Sequence, residues 1–154
     1  MKFSGNLPID NGTDITGKNN VKNIRALIVE DVFLIQRVIE RFIEPYGTFR
    51  VSNNGKEALK IYAEYFFNGE AFNLVCLDIY LPEMNGLKVL KHIREFEKEI
   101  HLSEDERSKI VIISSVTHPG TLQQAYDLGC DYYITKPFSK DDVVRALKKL
   151  KLIS

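Results

Sequence analysis

The chain has 154 residues, 44% of them apolar, and its 21 basic and 21 acidic side chains cancel. That is material for one globular core, and without net positive charge or a long basic run it offers nucleic acid no electrostatic footprint. No apolar run approaches the ~20 residues of a membrane span and no secretion signal opens the chain, so a cytoplasmic protein with no membrane contact is expected.

Residues 1–22 are rich in Gly, Asn and Asp, with isolated apolar residues and no period, which predicts a flexible N-terminal arm ahead of a domain over 23–154. Ile24 to Val29 is a continuous apolar run, the pattern of a strand buried on both faces, and it ends in the acids Glu30 and Asp31. Ile35, Val38, Ile39, Phe42 and Ile43 then recur at helical spacing, with Arg37, Glu40, Arg41 and Glu44 opposite. Thr48 to Ser52 alternates polar and apolar residues, which places it at a sheet edge. A second helical stripe runs from Ala58 to Phe66 and stops at Asn68-Gly69.

Leu74 to Leu77 is a second buried strand, and it ends on Asp78. Pro82 and Gly86 interrupt the next eight residues and move the following helix start to about Asn85, too far on for Asp78 to cap it. In that helix Leu87, Leu90, Ile93 and Phe96 form the inner stripe, and Lys88, Lys91, Arg94, Glu95 and Lys98 are assigned to solvent. Ile110 to Ile113 is a third buried strand ending in Ser114-Ser115; a short helix over Thr121–Leu128, closed by Gly129, leads to the strand Tyr132–Thr135 and then Lys136-Pro137. Ser139, with Asp142 three residues on, opens the last helix. Five strands alternating with five helices specify an α/β sandwich around a parallel sheet.

Ligands of open parallel sheets bind beyond the carboxyl ends of the strands, and there the sequence puts Glu30 and Asp31, Asp78, Ser114 and Lys136. Taken singly each has a plainer use: Glu30-Asp31 or Asp78 as helix caps, Ser114 as a turn residue, Lys136 as a solvated lysine. Together they make one crevice. Clustered carboxylates repel unless a cation joins them, and oxygen-only ligands favour a hard ion, here Mg2+. Magnesium takes one or two carboxylates together with phosphate oxygens, leaving Asp78 as nucleophile toward a phosphoryl group that Ser114 and Lys136 would hold.

Val29-Glu30-Asp31, Asp78 through Gly86 with Pro82 in register, Ser114, and Tyr133-Ile134-Thr135-Lys136-Pro137-Phe138 give the chain, from Ile24 to Leu150, the pattern of a response-regulator receiver domain; it resembles the single-domain, chemotaxis-regulator-like members of that two-component signalling family. The resemblance implies a flavodoxin-like fold with strand order 2-1-3-4-5. It also implies a phosphoprotein: Asp78 would accept a phosphoryl group from a sensor histidine kinase or a histidine phosphotransfer protein. Glu30 and Asp31 would hold magnesium directly or through water with help from the Tyr80 main-chain carbonyl, Ser114 and Lys136 would contact phosphoryl oxygens, and Tyr133 would act with Ser114 as the aromatic switch. The Lys136-Pro137 peptide would be cis. The first acid is Glu30 where Asp is commoner, and Ser115 stands where alanine is frequent.

The resemblance makes the chain no enzyme beyond its own phosphorylation and dephosphorylation. Signal would leave through a face over residues 121–150, read by a downstream protein or a second copy of the chain. Tyr80 and Val116, which in this family flank the path of the attacking water, are expected to obstruct it and prolong the phosphorylated state. A haloacid-dehalogenase-like aspartyl-phosphate phosphatase is the rival reading, but it needs a second acid two residues after the nucleophile, where this chain has Tyr80. A phosphorylation-independent scaffold would show a loss of acids or lysine that this sequence does not.

Overall fold

A computed structural model describes residues 23–154; the arm assigned to 1–22 lies outside the described residues. The elements are β1 (Ile24–Val29), α1 (Phe33–Ile43), β2 (Gly47–Ser52), α2 (Gly55–Phe67), β3 (Leu74–Leu77), α3 (Gly86–Glu99), β4 (Lys109–Ser114), α4 (Pro119–Asp127), β5 (Tyr132–Thr135) and α5 (Lys140–Lys149), with 3-10 turns at Glu44–Tyr46 and Glu104–Glu106. All five strands are parallel, in the order β2-β1-β3-β4-β5, with β2 at the edge its alternation indicates. Among the described residues no helix is long and apolar enough to cross a membrane.

The pleat divides the core in two. Leu27, Val29, Val75, Leu77, Ile110 and Ile112 face Ala58 and Ile61 of α2, Val89, Leu90 and Ile93 of α3, and Ala125 of α4. Ala26, Ile28, Leu74, Cys76, Val111 and Ile113 face Ile39 and Ile43 of α1 and Val143, Ala146 and Leu147 of α5. The three central strands are therefore apolar through their middles, with Arg25, Lys109 and Ser114 near the strand ends, because each has a helix layer on both sides.

Helix starts follow local chemistry. The Asn54, Asn85 and Ser139 side chains accept N–H bonds from Glu57, Lys88 and Asp142, and Asp142 answers Ser139 in a reciprocal capping box. Helix α1 lacks a side-chain cap and opens with three solvent-exposed apolar residues, Val32, Phe33 and Leu34. Val38, assigned by its spacing to the inner face, is 40% exposed, so the buried stripe of α1 narrows to Ile39 and Ile43.

A larger correction concerns Arg94, which is folded inward rather than solvated. Its guanidinium donates to the fully buried Glu97 at 2.6 Å, to Asp131 at 2.8 Å, and to the carbonyls of Gly129 and Ser108. Glu97 also accepts from the Ser108 N–H at 2.8 Å and the Tyr62 hydroxyl at 3.1 Å, while Asp131 accepts from the Ile110 N–H. This network ties α3 and α2 to the amino ends of β4 and β5.

Candidate functional site

The functional side chains share one construction: each of the three central ones stands one residue past its strand, and its backbone N–H extends the ladder by one bond. Glu30 N–H donates to the Ser52 carbonyl at 3.0 Å, Asp78 N–H to Val29 at 3.0 Å, and Lys136 N–H to Ser114 at 2.9 Å. The side chains are thus carried by sheet backbone. Beyond Asp78 the loop folds back through a 2.7 Å bond from the Gly86 N–H to the Ile79 carbonyl. A Cβ on Gly86 would lie 2.0 Å from the Asp78 carbonyl oxygen, so this crossing admits only glycine. The Lys136-Pro137 peptide is cis.

The Lys136 ammonium bridges two carboxylates, 2.9 Å from Glu30 Oε1 and 3.0 Å from Asp78 Oδ2. Glu30 and Asp78 are almost wholly buried, whereas Asp31 is exposed at the mouth. One carboxylate oxygen from each of Glu30, Asp31 and Asp78 can be chosen so that all lie within 4.8 Å of one another. Burial pushes the Glu30 carboxyl above its ordinary value despite its bonds to Lys136 and the Val32 N–H. Burial alone would lower the Lys136 ammonium, but its hydrogen bonds to Glu30 and Asp78 outweigh it and hold the group above the usual lysine value. A cluster of oxygen donors with one cation already beside two of them suits a hard divalent ion at its open side, toward Asp31.

Ser114 is fully buried and its Oγ accepts the Val116 N–H at 3.2 Å. Tyr133, on the neighbouring strand, donates its hydroxyl to the Val116 carbonyl at 2.7 Å. Burial raises the Tyr133 phenol above its ordinary value, with the Ser114 hydroxyl acting in the opposite sense. The structure thus gathers Glu30, Asp31, Asp78 and Lys136 into one crevice and sets Ser114 and Tyr133 around the β4–α4 loop at its edge.

Tyr80 departs from expectation. Its backbone N–H lies 3.4 Å from Asp78 Oδ1, but its side chain is 65% exposed. The ring points to solvent because the loop carries the residue outward, so the expected obstruction of a water path by Tyr80 is withdrawn. Two roles escaped the sequence reading, one of them at Val116, which it had placed beside the water path. Gln36 donates its amide to the Glu30 carbonyl at 2.6 Å, and Val116 supplies both backbone partners of the Ser114–Tyr133 pair. Gln36 falls on α1 facing the acids, which helical spacing could have shown; a backbone carbonyl leaves no trace in residue type.

Comparison with known proteins agrees with this geometry. The family model "Response regulator receiver domain" matches residues 26–148. The chain is 30% identical over 128 residues to the chemotaxis protein CheY of Listeria monocytogenes, covering 82% of this chain and 97% of that one. It is also 30% identical over 127 residues to the transcriptional regulatory protein CrdR of Helicobacter pylori, where the match spans only 54% of that longer protein. Among solved structures, a CheY-like receiver domain protein from Methanospirillum hungatei superposes with a TM-score of 0.69 at 24% identity, covering 84% of this chain and 93% of that one. A CheX-CheY-BeF3-Mg complex from Borrelia burgdorferi gives 0.68 at 23%, covering 87% and 98%. With the strand order, the acidic crevice and its bridging lysine all in place, this chain belongs to the response-regulator receiver domain family.

Proposed function

We propose that this receiver domain is a phosphoacceptor: Asp78 takes a phosphoryl group from a histidine kinase or histidine phosphotransfer protein, and the phosphorylated form is read by another protein. One observation carries the reading: a nearly buried Asp78 carboxylate sits 3.0 Å from the Lys136 ammonium, within a group of three acids.

In the transfer, an Asp78 oxygen attacks phosphorus. The O–P bond forms as the P–N bond to the donor imidazole breaks, and the electron pair stays on the imidazole nitrogen, which takes a proton. Lys136, placed between Glu30 and Asp78, moves its charge onto the phosphoryl oxygens, and the Ser114 hydroxyl turns from the Val116 N–H to donate to another. Asp31 and Asp78, with the Tyr80 carbonyl and with Glu30 directly or through water, would hold magnesium, which supplies positive charge to the oxygens of the transferring group. The Borrelia complex, which carries BeF3 and Mg, supports that choice of ion.

The added charge, about −1.5 to −2 on a phosphoryl group, draws Ser114 toward Asp78 and biases Tyr133 through Val116. The face that responds is α4, β5 and α5, where a downstream protein or a second copy of the chain would bind. The same reading makes the chain a cytoplasmic signalling protein with no activity beyond its own phosphorylation and dephosphorylation. A phosphatase of small esters is disfavoured because the position two residues past Asp78 carries an exposed tyrosine and no acid.

Incubation with phosphoramidate and magnesium should add one phosphoryl group, read by intact-protein mass spectrometry. It should be absent in Asp78→Asn; equal labelling of that variant would refute the assignment.

A further inference from the structure

The pole opposite the acidic crevice holds a cavity of about 390 Å3, within the size range of small-molecule sites. It opens between the carboxyl half of α3, the segment entering β4 and the turn from α4 to β5. Four cations line it, Arg94, Lys98, Arg107 and Lys109, with Glu104 and Asp131 as its acids. Asp131 is already engaged, since its Oδ2 accepts both the Arg94 guanidinium and the Ile110 N–H. Glu104 is exposed, and among the described residues neither it nor any other carboxylate forms an ion pair with Lys98, Arg107 or Lys109. The neighbouring acids Asp105 and Glu106 do not line the cavity, and Glu106 is turned to the Ser103 N–H.

On a chain whose charges cancel, three unpaired cations around one hollow with a single unengaged acid make a local positive field, which low-dielectric walls focus. Arg94 gives the hollow a rigid floor. Four of an arginine's five N–H groups are spent here on Gly129, Ser108, Glu97 and Asp131, which fixes the guanidinium plane and leaves one Nη2 hydrogen over. Mobile ammonium groups beside a fixed fork suit a compact anion with more than one charge, and phosphate offers acceptor oxygens to several donors at once. The hollow has more than ten times the ~30 Å3 share of one water, more room than bare phosphate needs, and Leu128 adds an apolar side. We infer that this cavity is a metal-independent anion site that takes the phosphate group of a small phosphorylated molecule. It shares no residue with the Asp78 crevice.

Amide shifts of the full chain, followed by two-dimensional NMR, test this with inorganic phosphate, glycerol phosphate and uridine monophosphate as probes. EDTA in the buffer removes the divalent ion through which phosphate would enter the acidic crevice. At least one ester should shift the Lys98, Ser108 and Gly129 amides saturably at millimolar concentration, and more tightly than inorganic phosphate. Lys98→Gln with Lys109→Gln should weaken binding about tenfold or more, as expected when charge-assisted hydrogen bonds are lost from a partly open site. Lys98→Gln alone, at an exposed position, should weaken it about threefold, half of that free energy. Lys136→Met should leave it unchanged. Shifts that fail to saturate with any probe, that persist at full affinity in the lysine variants, or that centre on Asp78 and vanish in Lys136→Met would overturn the site. Binding of both esters no tighter than that of inorganic phosphate would overturn the small-molecule assignment.

Discussion

The Tyr133 hydroxyl and the Val116 carbonyl are joined by a 2.7 Å hydrogen bond, and the Val116 N–H is held in turn by Ser114 Oγ. One residue of the β4–α4 loop therefore connects the buried hydroxyl beside the crevice to the aromatic ring on the α4–β5–α5 face. Any displacement of Ser114 removes a partner from Val116 and is felt at Tyr133. Ser114→Ala and Tyr133→Ala should each accept phosphate at Asp78 yet lose the difference in partner affinity between phosphorylated and unphosphorylated protein. Partner binding that still tracks phosphorylation in both variants would exclude this route.

Gly86→Ala tests the loop that follows Asp78. The added methyl group meets the Asp78 carbonyl oxygen at 2.0 Å, and relief requires either the 2.7 Å bond to Ile79 or the backbone of Asp78 to move. We expect a loss of about 1–3 kcal/mol in urea unfolding and a slower labelling rate at saturating phosphoramidate. A variant as stable and as reactive as wild type would show that the loop yields freely.

The Arg94 network should be costly to break. Glu97→Ala leaves Arg94, Tyr62 and the Ser108 N–H without their shared acceptor in a site closed to water, and about 3–5 kcal/mol of stability should go with it. Arg94→Met should cost a similar amount by stranding Glu97, and the double variant should be less destabilised than the sum of the two. Additive losses would mean that the groups do not act as a pair.

Tyr62 gives the network a signature in pH. Burial first, and the Glu97 carboxylate second, push its phenol well above the ordinary tyrosine value. Because the folded value is the raised one, the contribution is fully present below about pH 10 and is lost as pH rises above it. In an ultraviolet titration of the seven tyrosines, Tyr62 should ionise only as the protein unfolds, and Tyr62→Phe should flatten the alkaline fall in stability. Titration of all seven in the native state would contradict this.

The two thiols should be silent in the folded protein. Burial raises both Cys76 and Cys130 to about 12, with the Asp131 carboxylate adding to the effect at Cys130. Neither should react with a disulfide reagent at pH 8 until denaturant is added. Fast native labelling of Cys130 would show that the turn after α4 opens.

Much of this was legible in residue order. Apolar runs ending in Asp78, in Glu30-Asp31 and in Ser114 marked both the sheet and the crevice, because strands buried on two faces leave polarity only at their ends. Arg94 was misplaced for a related reason. Helical spacing sorts residues by face, yet an arginine at the border of the inner stripe is drawn in only when an acceptor 37 positions away, Asp131, arrives from another element. The outward turn of Tyr80 and the exposure of Val38 likewise depend on how loop and helix seat against the sheet, which no local pattern records.

The Arg94 cluster clamps the amino ends of β4 and β5, while the crevice occupies the carboxyl ends. Chemistry and mechanical strength are thus lodged at opposite poles of the same strands. A lineage could retune the crevice or the surface around Tyr133 without spending the stiffness that holds the sheet together, and could harden the base against heat without altering how quickly Asp78 reacts.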